Sequence, residues 1–259
     1  MLTIIFLFLA GIVAGLLAST AGLASVASYP ALLAVGLPPV LANVTNTAAL
    51  IFSGLGAITS SIKELRGHWR QVSLFVVLSL LGSVGGSWLL LAAPAESFEK
   101  VVPFFILIAA VMLLLSGRET GSSTDALKAA RQHPLKRFLI LLASYLGIVL
   151  VGAYTGYFGA AGGVLFLAFL SVILDDDFAV VNAIKNVIAF AGNFVATVIF
   201  IFRSHIVWHF VLVMGIGLFI GGYLGPVIVR HVNIKLLRSL IALAAIVLAV
   251  NLFVKAYFK

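Results

Sequence analysis

Long uncharged runs separated by short charged gaps organise this chain. From Leu2 to Ile62 there is no Asp, Glu, Lys or Arg, and one helical crossing needs only about 20 residues at about 1.5 Å each. Two or three membrane elements are therefore expected in that stretch. Pro30 and Pro38-Pro39 are expected to divide it, and Gly11, Gly15 and Gly22 to loosen its first part. Further apolar runs cover residues 71–93, 101–117, 138–174, 178–202, 206–229 and 239–254. A membrane barrel would instead show alternating segments of about ten residues. Backbone groups in lipid must pair internally, so the runs are predicted to be helices.

Composition strengthens this reading. The chain has 259 residues, 63% hydrophobic and 9% charged, where a soluble domain carries roughly a quarter charged. Mean hydropathy is +1.24. The net charge of +8 sits in the gaps between apolar runs, which is how membrane topology is encoded. The expected partners are therefore membrane lipid and a small solute, and not nucleic acid. There are no cysteines, which removes disulfides, thiolate metal sites and cysteine nucleophiles. The N-terminal run lacks a basic flank and continues uncharged to Ile62, so it is expected to be a retained first membrane segment. The whole reads as a multi-pass protein of the cytoplasmic membrane.

Residues 117–137, GRETGSSTDALKAARQHPLKR, form the one long hydrophilic stretch, with five Lys/Arg against two Asp/Glu. The positive-inside rule makes it a cytoplasmic linker, and it divides the chain nearly in half. The halves resemble one another. GIVAGLLASTAG (11–22) matches GAYTGYFGAAGG (152–163), and TNTAALIFSG (45–54) matches KNVIAFAGNF (185–194). GSVGGSWL (82–89) matches GGYLGPVI (222–229) in turn. The predicted fold is an all-α polytopic membrane protein of two homologous repeats, 1–117 and 138–259, joined by the linker 118–137. Each repeat would hold four to five segments, eight to ten in total, with a broken glycine-rich first helix. The basic loops at 61–70 and 230–238 fall on one side only if 138–174 enters and returns as two legs, which favours inverted repeats.

The candidate chemistry centres on Lys185, an ammonium inside the otherwise uncharged run 178–202. A lysine at that depth costs on the order of 3 kcal/mol unless it meets water, carbonyls or an anion. On a helix Asn182, Lys185, Asn186, Ala189 and Asn193 share one side. Asn43, Asn46, Thr47, Ser53 and Gly54 trace a similar side in the first half, with Thr45 at the position of Lys185. Two readings stand: a duplicated polar site with one asymmetric cation, or interhelical hydrogen bonds with Lys185 snorkelling to the surface. Gly162-Gly163 and Gly22 are expected to break helices near the midplane. All eight carboxylates, including Asp175, Asp176 and Asp177, lie in gaps, and the five histidines lie at segment ends or in gaps. No metal site, cofactor site or hydrolase motif is present to suggest an enzyme. A cationic, carboxylate-free interior suits an anion.

Taken together, GIVAGLLAS with YPALLAVGLPP, GAYTGYFGAAGGVL, ANVTNTAALIFSGLGAI and the boundaries GHWR (67–70) and HIVWH (205–209) resemble the sulfite exporter TauE/SafE family of membrane permeases. Each boundary leads into a glycine-spaced helix, LLGSVGGSWLL or GLFIGGYLGPVI. The resemblance runs from about Leu2 to Phe253 and implies two homologous halves that transport a small sulfur-containing anion such as sulfite or an organosulfonate. One departure is that Ala18, Ala21 and Ser25 stand where the family pattern places glycines. The substrate-binding set expected from the duplicated polar faces and the glycine breaks is Lys185, Asn186, Asn182, Asn193, Asn46, Thr45, Ser53, Asn43, Gly162, Gly163 and Gly22. An anion channel and a non-transporting assembly subunit are the alternatives, and the oligomeric state is open.

Overall fold

A computed structural model describes residues 2–115, 134–159 and 162–229 and most of 243–258. All regular structure among the described residues is helical. The elements are α1 (Leu2–Ala21), α2 (Ser25–Ala34), α3 (Pro39–Ser60), α4 (Trp69–Ala92), α5 (Ala95–Leu115), α6 (Pro134–Tyr157), α7 (Gly162–Ile173), α8 (Phe178–Arg203) and α9 (Trp208–Val229). Six of them, α1, α3, α4, α6, α8 and α9, are long and apolar enough to cross a membrane, and α2 and α7 are short apolar helices. Leu2, Leu9, Leu81, Leu150 and Phe202 point outward and are exposed. A soluble protein would hide such faces, and a bilayer solvates them. The basic stretch 230–238, and the linker up to residue 133, lie outside the described residues.

The first uncharged run forms three helices, but its proline marks do not act alike. Pro38 precedes α3 and Pro39 opens it, where a missing N–H costs nothing. Pro30 does not divide the run, because it lies inside α2. The break there comes earlier, at Gly22, whose φ of 71° is the left-handed conformation that ends a helix and that only glycine adopts freely. A second correction concerns Gly162-Gly163. They open α7, and the left-handed residue after α6 is Gly159, with φ 73°.

Side-chain contacts fix the direction of each helix. His68 Nε2 lies 3.2 Å from Asp176 Oδ1, tying the segment before α4 to the segment before α8. At the other end the Arg203 guanidinium lies 4.9 Å from the Trp88 ring centre, so α4 and α8 run parallel. Gly152 and Gly156 of α6 abut the Ser79 and Ser83 backbone of α4 in register. Gly11 and Gly15 of α1 likewise abut Met214 and Leu218 of α9. Missing side chains let these backbones approach closely, the usual route to tight packing between membrane helices. Thr45 of α3 accepts a hydrogen bond from the Val207 amide before α9, at 3.3 Å.

Helices α1, α3 and α9 therefore start at the Arg203 end, and α4, α6 and α8 start at the His68 end. The pair α1–α2 enters and returns on the first side, and the pair α6–α7 on the second. The interlocking crosses the middle of the chain: α1 and α3 pack on α9, while α6 and α8 pack on α4. The two turns meet in the interior, where the Gly22 backbone touches that of Gly163.

Candidate functional site

The site forms where the two broken helices end. After α1 the amide of Gly22 bonds to Ala18 O at 2.9 Å and that of Leu23 to Leu17 O at 3.1 Å. The last turn of α1 needs further donors, and α8 supplies them at Ser19 O and at Ala18 O, which the Gly22 amide also reaches. Asn182 Nδ2 donates to Ser19 O at 2.8 Å. Lys185 Nζ donates to Ala18 O at 2.8 Å and to Ser19 O at 3.4 Å. Asn186 Nδ2 reaches Ser19 O at 3.4 Å. One face of α8 thus converges on the negative end of the α1 dipole, where a positive charge is stabilised.

Lys185 is fully buried, at 0% exposure, so it does not snorkel. Carbonyl coordination explains how it is tolerated. An ammonium has three N–H donors, and two of its bonds go to Ala18 and Ser19.

The end of α6 is capped differently, because Asn43 of α3 donates to Tyr157 O at 2.9 Å and no cation is involved among the described residues. Replacing Asn43 by Ala leaves that buried carbonyl short of a donor. It should cost about 1–3 kcal/mol, read as a lower melting temperature of detergent-solubilised protein.

Between the two ends lies a cavity lined by Ala18, Gly22, Ala24, Ser25, Thr47, Ser53, Gly54, Thr155, Gly159, Gly163, Lys185, Asn186, Ala189 and Asn193, with Leu50, Phe158, Phe166 and Phe190 as its apolar wall. Among the described residues no carboxylate lines it. About 70 Å³ is open to the centre of a water-sized sphere, room for several waters or one small oxyanion. Of the expected residues, Lys185, Asn186, Asn193, Ser53, Gly163 and Gly22 meet here. The side chains of Ser53 and Asn193 hold no hydrogen bond among the described residues and remain free for an occupant.

The other expected residues stand behind the cavity wall or away from it. Asn182 and Asn43 hold helix ends, Asn46 Nδ2 donates to Ser25 Oγ at 3.1 Å, and Thr45 receives the Val207 amide. A methyl group on Gly162 would strike Thr155, so this residue serves packing. Thr155, Ser25, Ala24 and the three phenylalanines are wall residues that the sequence reading missed. Repeat alignment offered one signal, since Thr155 lies next to Gly156 in the segment paired with 11–22.

The fold and cavity together define a polytopic all-helical membrane protein with a small chamber, one wall of it a buried lysine, between two helix breaks. The chain belongs to the sulfite exporter TauE/SafE family, whose model matches residues 7–252. It is 28% identical over 251 residues to the probable membrane transporter protein ORF9 of Sinorhizobium sp, covering 95% of this chain and 91% of that one. A probable membrane transporter protein of Haemophilus influenzae is 24% identical over 246 residues, covering 95% and 92%. The probable membrane transporter protein YfcA of Escherichia coli K12 is 23% identical over 246 residues, covering 95% and 88%. No solved structure matches the chain.

Proposed function

We propose that this protein is a permease of the cytoplasmic membrane that moves a small sulfur-containing anion, sulfite or a compact organosulfonate, by alternating access between two inverted repeats. The observation that carries this reading is the buried Lys185 ammonium on the wall of a chamber that contains no carboxylate. Lys185 supplies the counter-charge, with one N–H left for the occupant. Asn186, Asn193 and Ser53 offer hydrogen bonds to its oxygens. Asn182, Asn43, Asn46 and Thr45 act one layer further out, by fixing the helix ends and the α3 and α8 faces that carry the site.

The opposite entry of the α1–α2 and α6–α7 pairs supports the inverted reading, as does the matching packing of α1 and α3 on α9 and of α6 and α8 on α4. The small volume favours sulfite over larger sulfonates. An inside-negative potential drives anion export with about 2.3 kcal/mol per charge per 100 mV, so efflux needs no ATP.

The test is flux of radiolabelled sulfite from liposomes containing the purified protein, set against sulfate and taurine. Saturable flux with counterflow is expected. Non-saturating flux without counterflow would indicate a channel, and no flux above empty liposomes would remove transport of this anion altogether. Asn193→Leu should narrow the chamber while leaving Lys185 in place. It is expected to lower flux by about tenfold, equivalent to about 1.4 kcal/mol, with unchanged protein yield in the membrane.

A further inference from the structure

The position of the Lys185 ammonium suggests a second role. Discontinuous membrane helices commonly hold a coupling cation at the C-terminal end of a half-helix, on carbonyl oxygens freed by the break. Here that place, at the end of α1, is filled by a side chain. Lys185 Nζ lies 2.8 Å from Ala18 O and 3.4 Å from Ser19 O, and nothing of it reaches the surface. Asn182, one turn earlier on the same face of α8, has a buried Oδ1 without a hydrogen-bond partner.

We propose that Lys185 is a tethered replacement for a coupling cation: its ammonium permanently occupies a monovalent-cation site at the end of α1, so transport is independent of Na⁺. The donor set supports a monovalent ion. It consists of the neutral backbone carbonyl oxygens of Ala18 and Ser19, whereas divalent ions are held mainly by carboxylates. The break after α6 gives the contrast, since its Tyr157 carbonyl receives the neutral Asn43 amide.

Removing the tether should uncover the site. With the side chain shortened, Ala18 O and Ser19 O lose the ammonium and the space that the lysine side chain filled opens beside them. Lys185→Ala should then bind Na⁺ or NH₄⁺ from solution, whereas Lys185→Met, one atom shorter than lysine, fills most of that space with apolar groups and should not.

This inference rests on the transport reading for its flux measurement alone, and a thermal measurement tests it separately. Purified protein is melted in the chloride salts of Na⁺, ammonium and choline at equal ionic strength, without any sulfur anion. Lys185→Ala should melt several degrees higher in Na⁺ or ammonium than in choline, and wild type and Lys185→Met should melt alike in all three. In liposomes, wild-type sulfite flux should be the same in Na⁺ and in choline, and Lys185→Ala flux should rise several-fold when Na⁺ or ammonium replaces choline. Equal melting of Lys185→Ala in all three salts overturns the proposal. Sodium-dependent wild-type flux also overturns it, and that result is readable even if the alanine variant does not fold. Absent wild-type flux counts against the transport reading, and the melting comparison still decides the cation site.

Discussion

Lys185→Ala, assayed with choline as the only added cation, should lower the initial rate of sulfite flux more than about tenfold, or about 1.4 kcal/mol. Two losses act together. The chamber loses its positive charge, and in a low-dielectric interior an anion without a counter-charge is strongly disfavoured. The end of α1 also loses a donor, leaving Ala18 O to the Gly22 amide and Ser19 O to Asn182 and Asn186. Lys185→Arg should retain more activity than Ala, because it keeps the charge, but less than wild type, because a planar fork does not present its donors as a compact ammonium does. Lys185→Met separates charge from bulk and should resemble Ala. Rates are compared per unit of protein in the liposome membrane, and a wild-type rate in the alanine variant would exclude the counter-charge role.

Gly22→Val is expected to have the larger effect on folding. The residue's φ of 71° disfavours any side chain, a β-branched one most of all, and a Cβ there would strike the Gly163 backbone of the opposing break. Backbone has little room to yield, so conformational strain and overpacking add to a cost on the order of 3 kcal/mol. The expected result is a severe loss of monodisperse protein on size-exclusion chromatography of detergent extracts. Gly85→Ala is the control, because a methyl group on that exposed helical position meets nothing within 4 Å, and it should leave the profile unchanged. Equal profiles for the two variants would mean that the crossing of the breaks tolerates side chains.

The sequence revealed the membrane helices because burial in lipid constrains composition so strongly: apolar runs and their charged gaps map onto α1, α3, α4, α6, α8 and α9 with ends displaced by a few residues. Lys185 was legible for the same reason, as an expensive residue that needed a partner. What the letters hid was that partner. Ala18 O and Ser19 O are backbone atoms, identical in every residue, and they lie more than 160 positions away in the chain. Their availability depends on where α1 ends, and that in turn depends on the single left-handed residue Gly22.

The second break was misplaced for a related reason. The adjacent pair Gly162-Gly163 looks like the stronger breaker, yet one residue with positive φ suffices, and Gly159 has it. Gly163 is needed instead for closeness to Gly22, a requirement that belongs to the assembled fold. Asn43 and Asn46 were read as site residues from their shared face, and Thr45 from its match to Lys185 in the other half. That face does lie near the chamber, but local acceptors and donors, Tyr157 O, Ser25 Oγ and the Val207 amide, engage these residues first.

The packing of α1 on α9 also has a consequence for biosynthesis. Residues of α1 are made well before those of α9, and the glycine face at Gly11 and Gly15 lacks its α9 partner until that helix emerges, about 190 residues later. At ordinary translation speeds that is a wait on the order of tens of seconds. During that interval the nascent chain must hold α1 in the membrane with its eventual seam facing lipid or the insertion machinery, and the carbonyls of Ala18 and Ser19 must wait for Lys185. Final assembly therefore cannot proceed helix by helix from the N-terminus. The seam closes only when α9 arrives, so a ribosome stalled before Trp208 would leave a membrane-inserted intermediate that quality-control proteases can recognise.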